Sequence, residues 1–164
     1  MDNLPGTLQR EHALQLFEMA FDCQMKGDLQ RAVTLYGESV DLCPTAEAYT
    51  FMGWAMGRLG HYEKAIDLCR RAIRVDPDFG NPYNDIGAYL IELGRADEAE
   101  AWLERAIRAR RYDCHHYPWF NLGRIHEWKG DFALAKQCYA RSLRECPNYP
   151  LARKALVALI ARMN

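Results

Sequence analysis

The sequence has no run of about 18 apolar residues, so no segment is read as a membrane-spanning helix. It has no excess of either charge: 21 Lys plus Arg stand against 22 Asp plus Glu in 164 residues. That balance removes the strongest sign of a general nucleic-acid binder. With 49% hydrophobic residues it also argues against intrinsic disorder. None of the six cysteines, at 23, 43, 69, 114, 138 and 146, falls in a CxxC pair. They are read as reduced, buried hydrophobes, since a chain of this length can bury a core without staples. The first residues carry neither a basic stretch nor an apolar one, and are not read as a secretory signal. The expectation is a soluble, cytoplasmic, single domain.

Signatures of chemistry are absent too. There is no Walker-type loop, no GxSxG, no HExxH and no acidic calcium loop. Cys114-His115-His116, with His126 about one helix further on, is the one cluster with metal-ligand character. Adjacent residues rarely aim at one ion, and a structural zinc site needs four ligands at defined spacing. No catalytic residue, metal or cofactor is assigned, and the chain is expected not to be an enzyme.

What the sequence has is an internal repeat. One glycine column reads Gly27, Gly60, Gly94, Gly130, and one alanine column Ala32, Ala65, Ala99, Ala135. Two small-residue columns read Ala20, Gly53, Gly87, Gly123 and Ser39, Ala72, Ala106, Ser142. All four shift together through spacings of 33, 34 and 36. Prolines 44, 77 and 147 close three of the four units, while the third has Arg111 there and a two-residue insertion near Cys114-His115. Each glycine is placed at the end of a helix, where positive φ is favoured. The small columns are placed where two antiparallel helices cross closely. Large apolar residues recur between them at helical spacing, as in Leu16, Met19 and Cys23, or Tyr83, Ile86 and Leu90.

This pattern resembles the tetratricopeptide repeat, a helix-turn-helix unit of 34 residues. The best match is the fourth unit, with Trp119, Leu122, Gly123, Gly130-Asp131-Phe132, Ala135, Tyr139 and Pro147. The units are read as 13–45, 46–79, 80–113 and 116–149, after an N-terminal extension at 1–12 and before a capping helix at 150–164. The resemblance implies an all-α solenoid, a right-handed superhelix whose first helices line a concave groove. It also implies a non-catalytic interaction module, an adaptor, scaffold or chaperone-like protein, that binds a protein or peptide segment in that groove.

In this register the candidate binding residues are Phe17, Phe21, Thr50, Trp54, Asn84, Tyr117, Phe120, Asn121, Arg124 and Trp128. Arg58, Asn81, Ala88 and Glu92 fall on the same face. Trp119, Tyr36 and Tyr139 are read as core. Relatives that hold the tails of Hsp70 or Hsp90 use a clamp of two Lys, two Asn and one Arg. No frame of three consecutive units supplies those cations here, and in the first frame its last two places hold Asn81 and Asp85. The chain is therefore not expected to bind such tails.

Two alternatives have their own residues. The last helix carries Ala152, Ala155, Leu159 and Met163 as a stripe for the fourth unit. Leu156, Val157 and Ile160 fall on a second face, read as a self-association surface that would make a homodimer or larger assembly. The second reading is an RNA or acidic-ligand binder using Arg71, Arg74, Arg105, Arg108, Arg141 and Arg144, which recur in matching columns. A basic patch without stacking aromatics is weak evidence, so nucleic acid is not an expected partner.

Overall fold

The computed structural model of the protein describes residues 4–163. Residues 1–3 of the proposed extension and residue 164 of the capping segment lie outside the described residues. These described residues fold into nine helices: α1 (Leu4–Met25), α2 (Leu29–Leu42), α3 (Ala46–Arg58), α4 (Tyr62–Val75), α5 (Asn81–Glu92), α6 (Ala96–Arg108), α7 (His116–Lys129), α8 (Phe132–Glu145) and α9 (Pro150–Met163). They group into two compact units, Met1–Pro77 and Asp78–Asn164. In the first, α1 pairs with α2 and α3 with α4, and α2 packs on α3. In the second, the hairpins are α5–α6 and α7–α8, α6 packs on α7, and α9 packs on α8.

Each hairpin turns on a glycine. Gly27, Gly60, Gly94 and Gly130 have φ of 84°, 83°, 72° and 83°. The following residue's N–H reaches back to the helix, as in Asp28 N–H to Cys23 O (2.9 Å) and Asp131 N–H to His126 O (2.8 Å). This is the Schellman closure, which satisfies carbonyls that a helix end leaves orphaned.

The small residues meet at the crossings. A Cβ on Gly53 would lie 3.2 Å from Ala65 O and 3.3 Å from Cys69 Sγ. On Gly87 it would lie 2.5 Å from Leu103 Cδ2, and on Gly123 it would enter the Tyr139 ring. The partner is thus as much the Tyr36, Cys69, Leu103, Tyr139 column as the alanine column. All four of those side chains are buried. Tyr36 and Tyr139 hydroxyls donate to Gln24 Oε1 (3.1 Å) and Glu127 Oε2 (2.8 Å), at equivalent positions in their own hairpins. Ser39 and Ser142 donate to the carbonyls of Ala13, within α1, and His116, at the start of α7, both at 2.7 Å, and so tie each second helix to the first helix of its own hairpin.

Three side chains differ from the expected core. Met19 faces solvent although Leu16, on the same helix, is buried. Met163, placed in the packing stripe of the last helix, is exposed, and Leu156 takes the contact with the Ala135–Tyr139–Leu159 cluster instead. Trp119 is half-buried rather than core. It lines an open cleft of about 530 Å³ between α6, α7 and α8, with the Arg141 guanidinium 5.3 Å above its ring.

The insertion in the third unit has a structural use. Residues 109–115 carry no helix, and Arg111 N–H bonds Asp78 O (2.9 Å) while Gly80 N–H bonds Arg111 O (3.0 Å). Tyr112 then fills the space that a side chain at Gly80 would need.

Candidate functional site

Each unit presents a face of first helices. In the first unit, α1 and α3 contribute Phe17, Phe21 and Phe51, with ring centroids 5.5 Å (Phe17–Phe51) and 5.7 Å (Phe21–Phe51) apart in edge-on contacts. Phe17 also meets Tyr36 at 5.4 Å, so it is anchored on the core, while Phe21 stays exposed. Such rigid aromatic clusters make good interface anchors. Trp54 is exposed beneath the Arg58 guanidinium, 5.4 Å from its ring. Thr50 is turned away from this face: it is buried, and its hydroxyl donates to Ala46 O (2.7 Å).

The face of the second unit is polar. Asn84 on α5 and Asn121 on α7 are 8% and 7% exposed and bond one another, Asn121 Nδ2 donating to Asn84 Oδ1 at 3.2 Å. Arg124 Nη1 donates to Asn121 Oδ1 (3.4 Å), and its Nη2 pairs with Glu92 Oε1 (2.9 Å). At the other end, Asn84 Nδ2 donates to Asp85 Oδ1 (3.4 Å). The result is one chain, Arg124 to Asn121 to Asn84 to Asp85, with every donor pointing towards the carboxylate. Each amide has one further N–H besides the one used in the chain. Asp85 is partly buried, and loss of hydration raises its carboxyl to about 7, against a small opposing effect of the Asn84 bond.

An aromatic wall stands beside this chain. Tyr117 meets His116 at 4.0 Å and Tyr149 at 5.5 Å, and Phe120 meets Tyr149 at 5.4 Å. Burial pushes the Tyr149 phenol up to about 12 and lowers the His116 imidazole. Phe120 also packs on Tyr139 at 5.8 Å, so it is partly core. Tyr117 is exposed, and Trp128 is the most open large side chain, at 72%. Tyr112 Oη is buried without a partner. Burial first, and then the charge of Asp85, hold the Tyr112 phenol well above the usual range.

The sequence reading thus names Asn84, Asn121, Arg124, Tyr117 and Phe120, which the structure brings together on one face. It names Phe17, Phe21 and Trp54 on the first unit's face, and Trp128 as an open residue. It does not select Asp85, Glu92, Tyr112 or Tyr149. Asp85 had a visible signal, an acid set in the otherwise apolar stretch Ile86–Ile91 and its flank, beside an asparagine of the binding register. Tyr112 had none, because its place depends on the irregular segment. Of the arginine columns, Arg105 is stacked on Tyr83 (4.6 Å) and Trp102 (4.9 Å), Arg108 pairs with Glu104 (3.0 Å), and Arg141 lies on Trp119. Those three guanidinia are engaged by the chain itself. Among the described residues no group of three His, Cys, Asp or Glu could hold a metal, and no helix is long and apolar enough to cross a membrane.

Comparison with known proteins agrees with this architecture. Family models described as "Tetratricopeptide repeat" match residues 58–117 and 116–149. The small glutamine-rich tetratricopeptide repeat-containing protein 2 of Mycosarcoma maydis is 33% identical over 81 residues, 49% of this chain and 23% of that protein. The chain therefore spans about a quarter of that relative's length. Among solved structures, Pseudomonas aeruginosa pilF superposes with a TM-score of 0.86 at 20% identity, over 94% of this chain and 70% of that one. YrrB, described as a TPR protein with an unusual peptide-binding site, gives 0.68 at 21% identity, over 92% and 77%. At these identities the structural likeness is one of fold. Taken with the repeat columns, the Schellman glycines and the stacked hairpins, the matches place the chain in the tetratricopeptide-repeat family, an all-α solenoid class of proteins that mediate protein–protein interaction.

Proposed function

We propose that the chain is a non-catalytic interaction module that seats an extended peptide segment of a partner protein along the face where α5 meets α7. The observation that carries this is the hydrogen-bonded chain Arg124–Asn121–Asn84–Asp85, flanked by Tyr117 and Tyr149. An extended peptide exposes alternating N–H and C=O groups, and amides offer both a donor and an acceptor. Exposed aromatics and an arginine beside them are the usual anchors of such contacts. The aromatic face of the first unit, Phe21 and Trp54 above all, offers a further contact of apolar character. The six cysteines are free thiols, which supports a reducing compartment such as the cytoplasm.

The test is a quantitative pull-down from native lysate with wild type, Tyr117→Ala/Arg124→Ala and Trp54→Ala, each checked by circular dichroism. The expected result is loss of a partner of about tenfold or more with the double variant, consistent with the one to two kcal/mol or more typical of interface anchors. Trp54→Ala should weaken the same partner if both faces serve one ligand. Unchanged retention by the folded double variant removes this reading.

A second reading, self-association through α9, is favoured by one observation. Leu151, Val157, Ile160 and Met163 are exposed on that helix, and Val157 with Ala158 and Ala161 lines an open cleft of about 500 Å³. Sedimentation velocity over rising concentration should then show a growing larger species that Val157→Asp/Ile160→Asp abolishes. A strict monomer at every loading excludes it.

A further inference from the structure

We infer that the segment seated on the α5–α7 face carries a basic side chain, Lys or Arg, and that Asp85 is the residue that receives it. This rests on the peptide-seat reading above and adds to it the chemistry of the partner. Three observations carry it.

The first is the polarity of the hydrogen-bonded chain. Arg124 donates to Asn121, Asn121 to Asn84, and Asn84 to Asp85. Asp85 is the terminal acceptor. Its bond from Asn84 is a long 3.4 Å contact. A carboxylate offers about four acceptor positions, so most of its capacity is unspent.

The second is the contrast with other acids of the same unit, the half-buried Glu127 and Glu100 and the exposed Glu92. Glu127 takes Arg162 Nη1 at 2.7 Å and the Tyr139 hydroxyl at 2.8 Å. Glu100 takes Lys129 Nζ at 3.0 Å. Glu92 takes Arg124 at 2.9 Å. Among the described residues no cation lies against Asp85, and Arg124, at the far end of the chain, is held by Glu92. A desolvated carboxylate without a cation is costly, and a partner's cation is the group that would relieve it.

The third is the surroundings. Asp85 lies beside Asn84 and close to the buried Tyr112. Aromatic faces accept an ammonium or guanidinium, and this chain uses that contact repeatedly, with Arg105 on Tyr83 and Arg111 on Phe79. The sign is also opposite to that of the clamp described above, where cations of the repeat hold a partner's carboxylate. Here the protein supplies the carboxylate.

The experiment uses the full chain and an immobilised peptide library. Nonapeptides with randomised flanks carry Lys, norleucine or Glu at the central position, and retention of the chain is compared between the three pools. The expected result is at least tenfold greater retention on the Lys pool than on the norleucine pool, and least on the Glu pool. Asp85→Asn should reduce that Lys preference, the ratio of retention on the Lys pool to that on the norleucine pool, to near unity. Asp85→Glu should restore part of the preference. Equal retention on the Lys and norleucine pools, or a Lys preference that survives Asp85→Asn, overturns the inference while leaving the peptide seat intact. Retention on none of the three pools overturns the peptide seat, and this inference with it.

Discussion

Replacing Asp85 by Asn is expected to stabilise the protein at neutral pH, by about 2–4 kcal/mol, and to change nothing near pH 4. The carboxyl sits at about 7 in the folded chain, against 3.8 for a free side chain. Between those values the folded state holds a proton that the unfolded state releases. The unfolded chain then binds fewer protons, so stability falls as pH rises through the window and levels off above 7. A tenfold difference in proton affinity between the two states is worth about 1.4 kcal/mol, which gives ~4 kcal/mol as the upper figure. Below pH 4 both states carry a neutral Asp85, and Asn, of the same shape and likewise uncharged, matches it. Urea unfolding of both proteins at pH 4, 5.5 and 7.5 measures this. The gap should open steadily with pH. Equal stability at pH 7.5 means that Asp85 is fully hydrated, and it also removes the main physical reason for a partner cation. A residue that lowers stability at working pH is a familiar mark of a functional position.

The second large effect is a contrast of sign between two glycines. Glycine inside a helix costs up to about 1 kcal/mol relative to alanine, so a change to alanine should stabilise wherever space exists. Gly37 has space: the nearest side-chain atom to its Cβ position is Met52 Cε at 3.8 Å. Gly37→Ala should therefore raise stability by about 0.5–1 kcal/mol. At Gly123 the same Cβ would enter the Tyr139 ring. That ring is held by its bond to Glu127 and by Phe120, so it has no cheap retreat. Overpacking of this kind costs about 1–3 kcal/mol beyond the propensity gain. Gly123→Ala should therefore lower stability by about 2 kcal/mol, and by much less in a Tyr139→Leu background, where the clash is gone. Thermal and urea unfolding of the three variants decide it. A neutral Gly123→Ala would show that α7 and α8 can part without cost.

Much of the scaffold is readable along the chain, for definite reasons. The positions of Gly27, Gly60, Gly94 and Gly130 follow from a local demand, since only glycine takes positive φ cheaply at a helix end. The small residues at 53, 87 and 123 follow from a pairwise demand repeated in every hairpin. The column Tyr36, Cys69, Leu103, Tyr139 was equally readable, because it keeps the same spacings, yet its residues differ in size and so do not look like a column. The candidate site is readable only in part. Asn84, Asn121 and Arg124 fall on the predicted face. Thr50 falls there too but spends its hydroxyl on its own helix.

By itself, then, the sequence determined the repeat, the helix ends and the crossings, because each of these is a periodic requirement met within about one repeat of chain. Only the tertiary structure decided that Asn121 meets Asn84 across 37 positions, that Glu92 claims Arg124, and that Asp85 is left without a cation. It also decided that Trp119 borders a cleft and that Tyr112 fills the place beside Gly80. Those outcomes depend on which side chain reaches a shared partner first and on how the irregular segment at 109–115 packs. Neither quantity has a period, so neither leaves a column in the sequence.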